Sequence, residues 1–274
     1  MRNTIYFLLL IVVFFSCKKE EVKKNLQPSK IVVKEFQKII DEANVSGSIL
    51  MYDVQEKKWF SNDFDWAAIG RLPASTYKIT NSIIALETGV VENDSTILKW
   101  NGEERRMKVW EQDLIFRKAF HYSCVPCYQE IARKIGVERM NLYLNKLQYH
   151  DMKVDSTSID TFWLVGDSKI NQYEQIDFLK RFYESKLPIA KRTENIMKKL
   201  MVIEENNRYK ISGKTGWAIR NGKNNGWFVG YVEVKNKVYY FATNIAPKES
   251  FNMELFPKIR KEITHKALEY MKVL

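Results

Sequence analysis

The chain has 274 residues, of which 45% are hydrophobic and 13% aromatic, and both signs of charge are spread along it. This composition excludes a disordered or fibrous chain and predicts one large folded domain. The formal net charge is +11, but the lysines are scattered and form no basic motif, so we predict a solvated surface and no binding to nucleic acid.

The N-terminus has the pattern of an export signal. MRNTIYFLLLIVVFFSC combines a basic start, a short apolar stretch and a small residue before Cys17. The apolar stretch is too short for a membrane-spanning helix, so we predict a cleaved signal over residues 1–16. The ending resembles the lipobox of bacterial lipoproteins, with Phe14 and Phe15 in place of the usual residues, and predicts lipidation of Cys17. An ordinary signal peptide that ends near a cysteine is the alternative.

A charged segment follows the signal. Residues 18–29, KKEEVKKNLQPS, lack apolar periodicity and predict a flexible tether. The predicted organisation is therefore a lipidated N-terminus and tether over 17–30 and a single domain over 31–274. The mature protein would be a periplasmic or outer-membrane lipoprotein of a Gram-negative bacterium, attached to the membrane by its lipid anchor.

The first half of the domain reads as a helix, two strands and a helical region. Apolar residues recur at helical spacing within 33–43. The stretches 47–54 and 57–63 then predict a pair of strands joined by a short polar turn. From about residue 75 to residue 200 the pattern is mostly helical.

The C-terminal part predicts three successive strands and a final helix. The strands are RYKISGKTGWAI (208–219), GWFVGYVEV (226–234) and KVYYFATNI (237–245), and the amphipathic helix covers 257–273. Combined with the earlier elements, they predict an α+β domain in which one antiparallel sheet is covered by helices.

A serine and a lysine stand at the start of one predicted helix. PASTYKIT, residues 73–80, places Ser75 three positions before Lys78, and the apolar pattern that follows ends at Gly89. Since residues i and i+3 share a helix face, the Ser75 hydroxyl and the Lys78 amine would lie side by side. They are either a nucleophile and its base or two ordinary residues of a first helical turn, because S-x-x-K often occurs by chance.

Cys124 and Cys127 form a C-x-x-C pair in the sequence SCVPC. Such a pair occurs in redox motifs and as half of a zinc site. The histidines His121, His150 and His265 have no zinc-binding spacing, and no thioredoxin-type βαβ pattern surrounds the pair. We therefore predict no metal site and two packed small residues, with a disulfide across the turn as the alternative after export.

Two more motifs accompany Ser75 and Lys78. Ser123 in YSCV precedes the helical pattern VPCYQEIARKIG, and Lys214, Thr215 and Gly216 lie in the predicted strand ISGKTGWAI. S-x-x-K, a second serine motif and K-T-G recur in this order in enzymes whose serine is acylated by a β-lactam or a D-alanyl peptide. One motif alone is common, whereas all three in order, with the first at a helix start and the third in a strand, are a specific signal.

The chain resembles the class D, oxacillinase-type serine β-lactamases from about residue 47 to the C-terminus. The resemblance rests on STYK, YSCVPCYQEIARKIG, DTFWLVG, GKTGW and WFVGYVE. It implies the serine β-lactamase/penicillin-binding transpeptidase fold with a helical subdomain, and hydrolysis of β-lactam antibiotics, which confers resistance. The implied partner is a small β-lactam, and the implied cofactor is none apart from CO2 or bicarbonate. A penicillin-binding sensor or D,D-peptidase that turns over slowly is the alternative.

The resemblance also implies catalytic roles. Ser75 is acylated, Lys78 is carried as a carboxylated lysine and acts as general base, and Ser123 relays protons. Trp163 anchors the modified lysine, and the backbone N–H groups of Ser75 and Trp217 stabilise the oxyanion.

Carboxylation would explain how Lys78 can act as a base at neutral pH. A free lysine has a pKa of ~10.4, so neutralising it at neutral pH costs roughly 4 kcal/mol. Burial lowers that cost, and a neutral buried amine can capture CO2 to give an oxygen base beside Ser75. Val125, Phe162 and Leu164 are the predicted apolar walls around the amine. The Trp163 indole N–H can donate to the carbamate. Without the resemblance, Trp163 would be read as a core aromatic.

The remaining implied residues bind the substrate, whose carboxylate needs cations. They are Lys214, Thr215, Gly216, Arg260, Val125, Leu164 and Tyr149. One motif departs from the family, since Tyr149-His150-Asp151 replaces an aromatic-Gly-Asn triplet. Histidine restricts the backbone and aspartate cannot donate as asparagine does, which puts the substrate range in doubt.

Overall fold

The structure is a computed structural model that describes residues 28–274. The strands within this range are β1 (Ser29–Val32), β2 (Val45–Asp53), β3 (Lys58–Ser61), β4 (Ile97–Leu98), β5 (Leu114–Ile115), β6 (Val202–Glu205), β7 (Tyr209–Arg220), β8 (Lys223–Val234) and β9 (Lys237–Pro247). The α-helices are α1 (Lys34–Glu42), α2 (Phe64–Ala68), α3 (Lys78–Glu87), α4 (Phe116–His121), α5 (Val125–Ile135), α6 (Val137–Lys146), α7 (Gln172–Tyr183), α8 (Lys191–Leu200) and α9 (Phe256–Tyr270). Short 3-10 helices cover Ala74–Tyr77, Lys108–Trp110 and Met253–Leu255.

Seven strands form the main sheet, in the order β1-β3-β2-β9-β8-β7-β6. The two strands predicted from the first half pair antiparallel as β2 and β3, and the three predicted from the second half form the continuous antiparallel run β7-β8-β9. Lys214 and Thr215 pair with Val229 and Phe228 of β8, so the K-T-G motif lies within the sheet.

The two edge strands were not predicted. β1 begins at Ser29 and pairs parallel with β3, so the last two residues of the predicted tether belong to the folded domain and the sheet is not wholly antiparallel. At the opposite edge β6 pairs with β7. Each edge strand has four residues and pairs on one side only, so it needs little apolar character and leaves no clear strand pattern in the sequence.

Helices cover both faces of the sheet. Alternate residues of β9 point to opposite sides: Phe241 and Ile245 join the core beneath α1 and α9, while Tyr240 and Ala242 join the larger core on the other side. That larger core contains the apolar residues of α3 to α8, the region predicted as mostly helical. The result is a sheet between a two-helix layer and a helical region, as the predicted α+β class requires.

α3 runs through the centre of the molecule. The chain enters it through the 3-10 turn Ala74–Tyr77, and every residue from Lys78 to Leu86 is buried. The helix ends at Glu87, and Gly89 follows with φ of 69°, which confirms the predicted end. A helix buried on all sides fixes the residues at its start from every direction.

The predicted signal, the lipidation site Cys17 and most of the tether lie outside the described residues. From residue 28 to the C-terminus, no helix is both long and apolar enough to cross a membrane.

Candidate active site

Ser75 and Lys78 lie side by side, as the i, i+3 spacing predicts. The Lys78 Nζ donates to the Ser75 Oγ over 3.1 Å. Lys78 is fully buried, and Ser75 exposes only 7% of its surface. The hydroxyl therefore faces a cavity while its hydrogen-bond partner is shielded from solvent.

Burial sets the charge of Lys78. The Nζ lies 5.0 Å from the centre of the Tyr128 ring, and no carboxylate among residues 28–274 forms an ion pair with it. Loss of hydration without a compensating anion lowers the pKa of Lys78 to about 7. A large share of the amine is therefore neutral at neutral pH.

Trp163 supplies an unused hydrogen-bond donor in the same core. Its ring is fully buried and stacks on Tyr77 with centroids 5.6 Å apart, and Phe162 packs edge-on against both rings. The Trp163 Nε1 has no hydrogen-bond partner within the described part of the chain. Because a buried unpaired N–H is costly, this donor fits an acceptor on a neighbouring side chain.

Ser123 and Lys214 join the two walls of the site. Ser123 lies in the turn between α4 and α5, just before the predicted helix, and accepts a hydrogen bond from the Lys214 Nζ of β7. Burial, followed by repulsion from Lys78 and Arg260, holds the pKa of Lys214 well below its ordinary value. An anion at Lys78 would reverse the repulsion and favour the protonated form of Lys214.

Gly216 lets β7 approach the turn that carries Ser75. A Cβ at this position would lie 3.1 Å from the Pro73 carbonyl oxygen and 3.2 Å from the Thr76 backbone nitrogen. A Cβ here would require the turn to shift by a few tenths of an ångström, so glycine allows the closest approach. The approach places the strand beside the Ser75 turn, and the residue after Gly216 is Trp217, the second predicted oxyanion donor.

These elements surround a cavity of about 680 Å³. Eight of the predicted site residues line it, namely Ser75, Ser123, Val125, Leu164, Thr215, Gly216, Trp217 and Arg260. Arg106 adds a second cation, and no aspartate or glutamate of residues 28–274 contributes to the lining. The cavity therefore suits an anionic small molecule with an apolar body.

Arg260 is held rigidly at the cavity wall. Its guanidinium donates to the carbonyl oxygens of Gly216 at 2.5 Å, Phe256 at 3.1 Å and Pro257 at 3.2 Å. Burial lowers its pKa to about 10, so it stays protonated at neutral pH. A guanidinium has five N–H donors, so these three bonds leave two for a carboxylate.

Tyr149 is not among the residues that line this cavity, so its predicted contact with substrate stays a prediction. Its ring is 4% exposed and packs against Tyr77 and Phe178, with centroids 5.8 Å and 4.9 Å away. Together with His150 it lines a separate cavity of about 260 Å³. Tyr149 thus packs against Tyr77, which belongs to the turn that carries Ser75.

Cys124 and Cys127 form a disulfide, which corrects the prediction of two packed small residues. Cys124 caps the N-terminus of α5 and Cys127 lies in its first turn, so their Cα atoms are only 5.4 Å apart. The alternative prediction, a disulfide across the turn, is confirmed. Across residues 28–274 no cluster of histidine, cysteine or carboxylate side chains has the arrangement of a metal site.

Part of the cavity wall was not predicted. It comprises Arg106, Met107, Trp110, Tyr122, Pro126, Ala218, Ile219 and Pro257. The first three belong to the connection between β4 and β5, which has no periodic pattern, and nothing in the sequence marks them as close to Ser75.

The site has the parts of a serine acyl transferase. It combines a serine hydroxyl bonded to a buried amine, a second serine bonded to a lysine, and a strand that lies against the nucleophile turn. Penicillin-binding enzymes and serine β-lactamases are the members of this class that share this combination.

Comparisons with known proteins place the chain within that class. Residues 44–269 match the penicillin binding protein transpeptidase domain. Over 222 residues the chain is 38% identical to β-lactamase OXA-48 of Klebsiella pneumoniae, covering 81% of this chain and 83% of the relative. It is 39% identical to β-lactamase OXA-10 of Pseudomonas aeruginosa, covering 82% and 84%. The crystal structure of the class D β-lactamase from Sebaldella termitidis superposes with a TM-score of 0.86 at 36% identity, covering 91% of this chain and all of that one.

The chain belongs to the class D serine β-lactamases. It is a hydrolase that opens the β-lactam ring, an activity that confers antibiotic resistance.

Proposed function

We propose that hydrolysis proceeds through an acyl-enzyme on Ser75, with Lys78 carboxylated and acting as the general base. The observation that carries this proposal is the 3.1 Å hydrogen bond between the Ser75 hydroxyl and a fully buried lysine whose pKa is lowered to about 7. A serine so placed loses its proton to the neighbouring side chain as it attacks, which is the requirement for a serine nucleophile.

In acylation, the Ser75 Oγ attacks the β-lactam carbonyl carbon and its proton passes to the Lys78 side chain. The backbone N–H groups of Ser75 and Trp217 stabilise the negative charge that develops on the carbonyl oxygen. The carbon–nitrogen bond of the ring then breaks, and the nitrogen takes a proton from the Ser123 hydroxyl. Lys214 replaces that proton through its hydrogen bond to the Ser123 Oγ.

Before deacylation, the proton that Lys78 took from Ser75 passes to the neighbouring Lys214, which lost one during acylation. Water then attacks the acyl carbonyl and the Lys78 side chain accepts its proton. The Ser75 Oγ leaves as a hydroxyl, and the open-ring acid is released.

Arg260 and Thr215, which both line the cavity, bind the substrate carboxylate and hold the carbonyl near the Ser75 Oγ.

The residues around Lys78 fit a carbamate. The unpaired Trp163 N–H would donate to it, and Lys214 would be the cation that faces its negative charge. When present, the carbamate supplies an oxygen base beside Ser75. CO2 adds only to a neutral amine, which the buried Lys78 provides near pH 7.

A chromogenic cephalosporin assay, with and without added bicarbonate, tests the proposal. We expect many turnovers per molecule and a faster rate with bicarbonate. One acylation per molecule without further turnover would instead indicate a penicillin-binding sensor or a slow D,D-peptidase. Absence of both acylation and turnover would contradict both functions.

Replacing Trp163 with phenylalanine should raise the bicarbonate concentration that gives half-maximal activity by roughly tenfold or more. A hydrogen bond to a charged group contributes about 1.5–3 kcal/mol, and this variant loses the N–H while it keeps an aromatic ring against Tyr77. Titration of the rate with bicarbonate measures the shift. The control is Trp100→Phe, whose N–H donates to Glu103 in an exposed loop. Equal bicarbonate curves for wild type and Trp163→Phe would argue against a carbamate at this position.

The protein is further proposed to be exported and anchored through a lipid on Cys17. The support is the apolar stretch that ends at this cysteine and the charged segment after it. Cys17→Ser should move the enzyme from the membrane fraction to the soluble fraction without changing its catalytic rate. Fractionation followed by an activity assay measures both. Ser16→Ala, which keeps a small residue before the cysteine, should stay at the membrane. Retention of Cys17→Ser at the membrane would contradict the anchor.

A further inference from the structure

The Cys124–Cys127 disulfide lies directly beside the second serine of the site. Ser123 is followed at once by Cys124, which is fully buried, and Cys127 is 5% exposed. The Cys124 backbone N–H donates to the Ala119 carbonyl oxygen of α4 at 2.9 Å. The disulfide therefore ties the end of the Ser123 turn to the first turn of α5.

Ser123 adopts a backbone conformation that a serine rarely keeps unaided. Its φ is 51°, in the left-handed region, which costs a non-glycine residue about 1–3 kcal/mol unless its surroundings hold it there. This conformation accompanies the hydrogen bond between the Ser123 Oγ and the Lys214 Nζ. A relaxed turn would move the hydroxyl away from Lys214.

Arg105 connects the disulfide to the opposite side of the same turn. Its Nη1 lies 4.0 Å from the Cys124 Sγ and 3.9 Å from the Cys127 Sγ, and it donates to the Trp110 carbonyl oxygen at 2.8 Å. The Trp110 Nε1 in turn donates to the Tyr122 carbonyl oxygen at 3.0 Å. The turn is thus held on both sides of Ser123, by the disulfide after it and by Trp110 before it.

We propose that the Cys124–Cys127 disulfide is a positioning element for Ser123, one that holds its hydroxyl on Lys214 for proton transfer to the leaving nitrogen. The inference rests on the proposed role of Ser123 as the proton relay. It assigns a function to the C-x-x-C pair, which the hydrolytic mechanism itself does not use.

Two preparations remove the disulfide. The first is the Cys124→Ala/Cys127→Ala double variant. The second is wild type treated with a trialkylphosphine in mild denaturant, which exposes the buried sulfurs, followed by refolding under reducing conditions. The phosphine gives two electrons to the S–S bond, water provides the two protons of the new thiols, and the water oxygen ends on the phosphine oxide.

We expect either preparation to lower kcat by about tenfold and to leave KM within twofold, since misplacement of a reacting group by about 1 Å can cost up to 10²-fold in rate. The substrate would still bind through Arg260 and β7, which lie outside the Cys124–Cys127 segment. Reoxidation of the reduced wild type should restore kcat, whereas the double variant should be insensitive to reductant. Thermal unfolding curves confirm that each protein is folded at the assay temperature.

A double-mutant cycle that combines Ser123→Ala with removal of the disulfide distinguishes positioning of this serine from a general effect on the fold. Ser123→Ala alone should lower kcat, and removing the disulfide in that background should cause no further loss, because both changes act through the same hydroxyl. Additive losses, or an unchanged kcat in folded protein without the disulfide, would overturn the inference while the proposed relay stands. An unchanged kcat in Ser123→Ala would overturn both.

Discussion

Replacing Ser75 with alanine should lower β-lactam turnover by roughly 10⁴-fold or more, because the variant has no nucleophile to form the acyl-enzyme. The remaining rate would come from substrate binding and the backbone oxyanion donors, which the substitution does not remove. The fold should survive, since the change removes one hydroxyl at a position that faces the cavity. Intact mass after mixing with a slow β-lactam should show an adduct on wild type and none on the variant.

Ser95→Ala is the matched control. Ser95 is exposed in a turn before β4, so its loss should change neither turnover nor the adduct. If Ser75→Ala still acquired the mass of one β-lactam, another residue would be the nucleophile.

Lys78→Ala should block acylation and deacylation together, with a loss of turnover of roughly 10²–10⁴-fold, the usual contribution of a general base. The same side chain accepts the proton of Ser75 and then that of water, so its loss impairs both steps. Stopped-flow acylation and steady-state turnover measure the two steps separately. Bicarbonate should not rescue the variant, since alanine cannot be carboxylated.

Lys134→Ala provides the comparison for loss of a positive charge. Lys134 is exposed on α5 and pairs with Glu130, so its removal should leave the bicarbonate response unchanged. Rapid acylation by Lys78→Ala would assign the first proton transfer to another group.

The pKa of Lys78 also predicts how activity falls on the acidic side of the pH–activity profile. Burial lowers this pKa to about 7, and only the neutral amine can accept a proton or bind CO2. Without bicarbonate, activity should therefore fall as the pH decreases through about 7. Bicarbonate consumes the neutral amine, so it should displace the midpoint to lower pH by mass action. A midpoint that stays fixed when bicarbonate is added would exclude carboxylation as its cause.

Much of the sheet could be predicted because its strands carry strong local patterns. The long strands β7, β8 and β9 match their predicted segments within a few residues. The edge strands β1 and β6 could not be predicted, because four residues that pair on one side only need little apolar character. The parallel pairing of β1 with β3 depends on how the chain returns in space, which no local pattern encodes.

The site residues likewise divide into those that a local pattern or family motif predicts and those that neither predicts. Ser75, Ser123 and Lys214 lie in motifs whose spacing reflects a local constraint or a specific family, and the structure brings them together. The family motif that contains Tyr149 indicates its position along the chain, but the direction of its ring, toward a second cavity, could not be predicted from it. Tyr128, which packs over the Lys78 amine, is one of 14 tyrosines, and helical spacing alone marks it only as a core residue.

The sequence alone could not determine whether the two cysteines form a disulfide. Cys124 and Cys127 have the spacing of a redox pair, of half a zinc site and of two packed small residues. Only the position of both at the start of α5 brings the sulfurs together. The predicted export signal favours oxidation of such a pair, but the signal itself does not fix its geometry.

The most direct test of the central claim is the carbon-13 NMR spectrum of the wild type in labelled bicarbonate. A carbamate on Lys78 predicts one resonance that belongs to the protein, weakens as the pH falls below about 7 and is missing in Lys78→Ala. Full turnover in the same sample with no such resonance would contradict the account, and would mean that the neutral amine of Lys78 is itself the base.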